Sequence, residues 1–341
     1  MSTRAGTALL LIAAFGLTLF SCSQKQEIRH FNNDCEKGTS YCKYAEEPIN
    51  LKTYDGSNQA NHPKVLYIKN GWKGYKYWMS FTPYPFMNAA FENPSVAVSN
   101  DGVNWRSPDG MKQPVEGPPR DADRGGHYSD PELVFCGDRM EMWYRYNPSR
   151  KDKPCTDNNE NSILMTETKD GRVWSKPYPE FRGKTQYYSP AVLYENGEHR
   201  VWYSSKGGKL FYRECKNLKQ WTKPKNVKLF LPGFSIWHQD VIKSDGEYEI
   251  LFTAYKNGCF NSNNQCLYFA VSHDGINFSK PVMILSPSTN PESLDNKMIY
   301  RSTAVKIDDC CELYYSALSR SGEWHIFKTD FSEETARRAV L

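Results

Sequence analysis

Trp237-His238-Gln239-Asp240 leads into an apolar run at Val241, and four other stretches of the chain begin in the same way. His62-Pro63-Lys64-Val65, Asp130-Pro131-Glu132-Leu133, Ser189-Pro190-Ala191-Val192 and Ser302-Thr303-Ala304-Val305 line up with His238-Gln239-Asp240-Val241. Such a unit returning every 50 to 70 residues, roughly, marks a repeat architecture of four-stranded blades with long loops. Five copies predict an all-β fold, a five-bladed β-propeller. The innermost strand of each blade starts near the axis, so His62, Asp130, Ser189, His238 and Ser302 are expected to ring the mouth.

The 341 residues then form one domain rather than two. Its formal net charge of +4 gives no basic surface for nucleic acid. Aromatic residues make up 14 %, mostly in strand patterns such as Tyr75-Lys76-Tyr77-Trp78, which supplies both core and the walls of a sugar-sized pocket.

The first 21 residues read as a targeting signal. Arg4 precedes the apolar stretch Ala5 to Phe20, and Leu19-Phe20-Ser21-Cys22 resembles a bacterial lipobox, so cleavage before Cys22 leaves a lipidated cysteine. An ordinary secretory signal is the alternative, and both imply export. No aspartate follows Cys22, which points to the outer membrane. Residues 22–55 are polar and aperiodic, as in a tether; 56–334 form the propeller, expected to be monomeric, and 335–341 a short tail. In an oxidising compartment Cys35 with Cys42, and Cys259 with Cys266, are spaced to form disulfides. Cys310 and Cys311 fall at a hairpin tip and point apart. A zinc knuckle is disfavoured because the chain has no C-x-x-C pair.

Within the first blade His62 to Lys69 is the innermost strand, Tyr75 to Phe81 the second and Pro94 to Asn100 the third, with a tight turn at Asp101-Gly102 before Trp105. That turn returns as Asp170-Gly171 before Trp174, Asn217-Leu218 before Trp221 and Asp274-Gly275 before Phe278. The last blade shows three strands, ending near Phe331. A segment of the tether, Asn50 to Tyr54, is the candidate for its missing outer strand. Loops joining second to third strands share the face of the ring, and loops on a rigid scaffold commonly carry function. The long ones are Thr82 to Asn93, Asn147 to Asn161 and Lys256 to Gln265.

Imidazole and carboxylate facing one another across an axial channel are suited to a divalent metal, so Asp130 and His238 are candidate ligands. His62 is a third ligand, a substrate contact, or a hydrogen-bonding residue of its own blade. Glu92, at the end of the first loop, and His127, three residues before Asp130, are candidates for proton transfer. Asp240 and Glu132 follow ring positions by two residues and should face the channel, where they would orient the ligands or, for Asp240 with its neighbour Gln239, meet substrate. Arg301 is a candidate substrate clamp.

With these residues in place the chain resembles the five-bladed propeller family of the bacterial blood-group A N-acetylgalactosamine deacetylase. The resemblance rests on Asn61-His62-Pro63 leading to Gly74-Tyr75-Lys76-Tyr77-Trp78, on Glu92-Asn93-Pro94-Ser95 before Asn100-Asp101-Gly102-Val103-Asn104-Trp105, on His127 with Asp130, on Trp237-His238-Gln239-Asp240 and on Ile299-Tyr300-Arg301-Ser302. It implies a divalent-metal-dependent deacetylase of an N-acetylated amino sugar, with Asp130 and His238 matching metal ligands and Glu92 and His127 matching residues around the acetamide. The loops Thr82 to Phe91 and Lys256 to Gln265 have no counterpart in that pattern. A glycosidase of the arabinanase type needs opposed carboxylates, for which only Asp130 with Glu92 or with Asp240 would serve. A surface glycan-binding lipoprotein without catalysis is the third reading.

Overall fold

A computed structural model describes residues 41–149, 161–183, 187–257 and 265–341. Blade 1 comprises β2 (Ala60–Trp72), β3 (Tyr75–Pro83) and β4 (Ser95–Ser99), with β1 (Asn50–Leu51) and β5 (Asn104–Trp105) at its outer edge. Blade 2 is β6 (His127–Phe135), β7 (Met140–Asn147), β8 (Asn161–Thr168) and β9 (Tyr178–Gly183). Blade 3 is β10 (Tyr188–Glu195), β11 (Glu198–Ser205), β12 (Lys209–Cys215) and β13 (Lys225–Asn226). Blade 4 is β14 (Phe234–Ser244), β15 (Glu247–Lys256), β16 (Cys266–Ser272) and β17 (Val282–Leu285). Blade 5 is β18 (Met298–Ile307), β19 (Cys310–Leu318) and β20 (Trp324–Asp330), followed by helix α1 (Glu333–Val340). Apart from the β1–β5 pair, strands pair antiparallel in sequence order within each blade, and β18 packs against β2 to close the ring.

Each blade is covered on both faces by its neighbours, so the second strands bury consecutive residues and alternate only weakly. β7 buries Met140 to Arg145 without a break. The apolar clusters accordingly lie between blades: Trp202, Val241, Ile250 and Tyr268 join blades 3 and 4, while Val65, Tyr77, Trp105, Tyr314 and Ile326 join blades 5 and 1.

The Asp-Gly turns carry more than hairpin geometry. Asp101 Oδ1 accepts from the backbone of Val103 and Asn104 at 2.9 and 2.8 Å, and Asp274 Oδ1 does the same for Ile276 and Asn277 at 2.8 and 2.7 Å. The following glycine has φ near +71° in both turns and lies under an aromatic ring of the preceding blade. Trp202 Nε1 donates to Gly275 O at 2.7 Å, and Tyr314 Oη donates to Gly102 O at 3.0 Å. A Cβ on Gly275 would sit 2.8 Å from the Trp202 ring. Gly275→Ala is therefore expected to lower the unfolding free energy by about 2–4 kcal/mol, combining overpacking with backbone strain; the shift in urea midpoint measures it.

Both ends of the propeller differ from expectation. Asn50–Leu51 pairs parallel with Asn104–Trp105 of blade 1, not with blade 5. The residues before it serve blade 5 instead: Cys42 bridges Phe331 and Ile49 N donates to Ile326 O at 2.9 Å. The segment thus crosses the junction of first and last blades, and residues 41–55 belong to the folded unit, with Cys42, Leu51 and Thr53 buried. The expected tail is part of α1, whose Ala336 is buried and whose Arg337 pairs with Glu249. Cys42 has a free thiol packed in the core, and its expected partner Cys35 lies outside the described residues; Cys136, Cys215, Cys310 and Cys311 are also free. Cys259 lies outside the described residues, as do the signal, Cys22, and the middle of the loops after β7 and β15.

Candidate functional site

All five innermost strands bulge at the mouth. Pairing between first and second strands slips by one residue between Asn61 and Lys64, Ser129 and Glu132, Tyr188 and Ala191, Ile236 and Gln239, and Ile299 and Ser302. A bulge sets two residues against one and re-aims a side chain. In blades 1 to 3 it is an X-Pro pair whose first residue has positive φ: His62 at 56°, Asp130 at 55° and Ser189 at 47°. Such strain, on the order of 1–3 kcal/mol per residue, is characteristic of functional sites. In blades 4 and 5 the bulged pairs are Trp237-His238 and Tyr300-Arg301, one and two residues earlier, respectively, against the apolar run. The ring position expected for Ser302 is consequently displaced, and Ser302 Oγ turns back to Tyr300 O at 2.9 Å.

The bulges bring three candidates into contact. Asp130 Oδ1 lies 3.2 Å from His62 Nε2 and 3.2 Å from His238 Nδ1. All three residues are at most 2 % exposed. Asp130 Oδ2 is satisfied by Ser129 Oγ at 3.1 Å and Ser189 N at 3.3 Å, but Oδ1 has no hydrogen bond, nor has His62 Nε2 or His238 Nε2. The reason is legible at His62. Thr82 Oγ1 donates to Asn61 Oδ1 at 2.5 Å, so it must accept from His62 Nδ1 at 3.0 Å, leaving Nε2 as a bare lone pair facing a carboxylate oxygen. Burial also drives both imidazoles below their ordinary range, that of His62 strongly, despite the pull of Asp130. Two imidazoles favoured in the neutral form and a carboxylate, buried and turned on one another, are a group that could hold a divalent cation: His62, Asp130 and His238.

Glu92 and His127 lie above this set. Glu92 Oε1 is 3.6 Å from His62 Nδ1 and Oε2 is 3.9 Å from His127 Nε2. Burial, and then the charge of Asp130, push the Glu92 carboxyl well above the usual range, so it holds a proton readily. His127 Nδ1 donates to Gly125 O at 3.2 Å, which leaves Nε2 as the acceptor facing Glu92 and Asn147. Its side chain, 19 % exposed, is the most accessible of the five.

The remaining candidates lie one layer below. Asp240 receives Lys64 Nζ at 2.6 Å, and Glu132 receives Lys64 Nζ at 3.0 Å and Arg301 Nη2 at 2.6 Å. All four are buried. Glu132 and Asp240 therefore anchor a charged floor rather than orient the imidazoles directly, and Arg301, bonded also to Pro190 O at 2.9 Å, lies in that floor rather than at the rim where a clamp would reach substrate. Gln239 is buried as well, its amide donating to Ser189 O across the blade 3–4 boundary. Below the floor the channel widens to a cavity of about 250 Å³ walled by Val65, Leu133, Val192 and Val305. Lys64, Lys243 and Lys306 also line it.

Sequence reasoning missed two contributors, Lys64 and Tyr300, while Ser189 lies at the ring as expected. Lys64 follows His62 by two residues and shares its inward face, an alternation applied to Asp240 and Glu132 but not to the lysine. Tyr300, the bulge partner of Arg301, packs 4.1 Å from the His238 ring and 5.4 Å from that of His62, and accepts from Trp237 Nε1 at 2.8 Å. Ser189 Oγ, 2.6 Å from His238 Nδ1, fixes that ring.

No protein-family model matches the chain. It is 25% identical over 317 residues to an A type blood N-acetyl-α-D-galactosamine deacetylase of Flavonifractor plautii, covering 77% of this chain and 40% of the relative. The chain thus spans about two fifths of that protein's length. The crystal structure of an N-acetylgalactosamine deacetylase from F. plautii, in complex with blood group B trisaccharide, superposes with a TM-score of 0.74 at 22% identity over 87% of this chain and 97% of that one. An exo-1,5-α-L-arabinanase from a bovine ruminal metagenomic library gives a TM-score of 0.55 at 15% identity, over 80% of this chain and 91% of the other. The chain shares their fold. Likeness at this level does not separate amide from glycoside hydrolysis, so the distinction falls to the side chains at the mouth.

Proposed function

We propose that the chain is a carbohydrate-active hydrolase that removes the acetyl group from an N-acetylated amino sugar of a glycan, with a divalent metal held by His62, Asp130 and His238. The observation that carries this reading is the buried, unpartnered donor set at the mouth, with a proton-holding carboxyl at its rim. When bound, the metal polarises the acetamide carbonyl and makes water a stronger nucleophile. Glu92 is the group placed to exchange that proton: ionised in the loaded site, where the cation would offset the charge of Asp130, it would take the proton from the attacking water as the water oxygen bonds to the carbonyl carbon. As the carbon–nitrogen bond breaks, the same proton passes to the departing nitrogen, leaving the free amine and acetic acid, which loses its proton to solvent to give acetate. His127, neutral and close to Glu92, receives a hydrogen bond from the protonated carboxyl or supplies the proton path to the amine. Similarity to the F. plautii deacetylase supports an N-acetylgalactosamine-type substrate.

A retaining or inverting glycosidase is the poorer fit. Asp240 is held in the floor by Lys64, so only Asp130 and Glu92 remain for the paired carboxylates, and Asp130 is enclosed by two imidazoles. The lipobox-like start of the chain supports export and anchoring through Cys22. Acetate release from N-acetylgalactosamine and N-acetylglucosamine glycosides, with and without chelator, tests the proposal. Chelator-sensitive acetate is expected; liberated reducing sugar without acetate moves the assignment to glycosidase, and binding without either product moves it to a lectin-like role.

A further inference from the structure

A second set of metal-ligating side chains lies at the opposite end of the strands, where the β6–β7 hairpin of blade 2 meets β11 of blade 3. The thiol of Cys136, a carboxylate oxygen of Glu141 and a ring nitrogen of His199 all lie within 4.8 Å of one another. Glu141 is fully buried, His199 is 2 % exposed and Cys136 8 %. From these we propose a site for a zinc-class divalent ion that staples blade 2 to blade 3, separate from the mouth.

Part of the arrangement is an interblade hydrogen bond, His199 Nε2 to Glu141 Oε2 at 2.8 Å. The Cys136 thiol bonds to the same carboxylate, so a sulfur, a nitrogen and an oxygen from three side chains converge on one buried point. Sulfur, nitrogen and oxygen from three side chains are the donors a borderline ion selects, with a fourth position left for water. Bonds of about 2.0–2.3 Å in tetrahedral array put ligand atoms roughly 3.3–3.7 Å apart, so closure needs movements on the order of an ångström. The surrounding hydrogen bonds suit this. Arg139 Nη2 holds Glu141 Oε1 at 2.7 Å and Trp143 Nε1 reaches Oε2 at 3.1 Å, fixing the carboxylate from outside.

Charge closes as well. A thiolate and a carboxylate neutralise the divalent ion, while Arg139 is balanced separately by Glu167 Oε2 at 3.0 Å. On binding, the Cys136 thiol releases its proton to solvent and the imidazole proton moves from Nε2 to Nδ1, so one proton leaves per ion. Burial in a seam between blades makes the site's consequence mechanical: the ion ties a hairpin to a neighbour that otherwise meets it through side-chain packing and the His199–Glu141 hydrogen bond.

Titration of the metal-free full chain with cobalt(II) tests the site by a signature the mouth cannot give, since only a thiolate ligand produces a sulfur-to-cobalt charge-transfer band in the near ultraviolet. The band is expected to saturate by two equivalents in the unaltered chain and at one in Asp130→Ala, whose mouth no longer competes for the ion, and to be lost in Cys136→Ser. Its absence from the unaltered chain, or full intensity in Cys136→Ser, overturns the proposal. Should Cys136→Ser fail to fold, alkylation of Cys136 in the unaltered chain decides: zinc is expected to suppress it, and equal labelling with and without zinc overturns the site.

Discussion

Asp130→Ala is expected to lower acetate release by about 10³-fold or more and to abolish metal binding at the mouth. The magnitude follows from position. Oδ1 stands between two neutral imidazoles at 3.2 Å from each, so its removal takes away the only anionic donor of the set and leaves two buried lone pairs facing a cavity. Losing one preorganised electrostatic group at a reaction centre already costs 10²–10³ in rate, roughly, and loss of the ion with it adds to this. Glu92→Gln separates the two effects. It removes the proton carrier while leaving His62, Asp130 and His238 in place, so the turnover rate should fall by about 10²–10⁴-fold with metal affinity retained. Steady-state acetate assays and metal titration of both variants read the split. Most of the wild-type rate in Asp130→Ala would remove that residue from the reaction centre, and loss of metal in Glu92→Gln would make Glu92 a ligand rather than an acid–base group.

The number of blades and the identity of the mouth residues were legible because each innermost strand begins with a polar residue and passes into an apolar run within three positions. Placement around the ring was most legible where the bulge coincides with X-Pro, although His238 also lies where the alignment put it. In blades 1 to 3 proline after His62, Asp130 and Ser189 marks it, whereas in blades 4 and 5 the bulge sits at Trp237-His238 and Tyr300-Arg301, without a proline. Aligning on the apolar run therefore put Ser302 at the ring and hid Tyr300. The depth of Arg301, Gln239 and Asp240 was not legible either, because alternation gives the face of a strand and not the height along the axis at which a side chain ends. Strand alternation itself was weak, as in β7, because interblade packing buries both faces. The crossing of residues 41–51 over the closing seam depends on contacts with β5 and β20, remote in sequence, that no local pattern encodes.

Lys64→Met is expected to destabilise the fold by about 3–5 kcal/mol, the cost of breaking a buried ion pair from one side. Lys64 Nζ holds Asp240 at 2.6 Å and Glu132 at 3.0 Å. Glu132 keeps Arg301 when the lysine goes, but Asp240 keeps no cation, and its Oδ2 is already without a partner. The loss should depend on pH. Burial pushes Glu132 up from 4.5 to about 7 against the pull of Lys64 and Arg301. A carboxyl raised in the folded state contributes stability that is complete below its unfolded value and disappears as pH rises through the folded one. Without Lys64 that folded value rises further, so the penalty of the variant should grow between about pH 5 and pH 8. Replacing both partners, Lys64→Met with Asp240→Leu, should recover much of the loss, since an apolar pair of similar volume often substitutes for a buried ion pair at little cost. Urea unfolding of the two single variants and the double variant at several pH values measures the coupling. A single-variant loss below about 1 kcal/mol, the value typical of solvated pairs, would mean that water reaches the floor and that the mouth above it is not sealed from below.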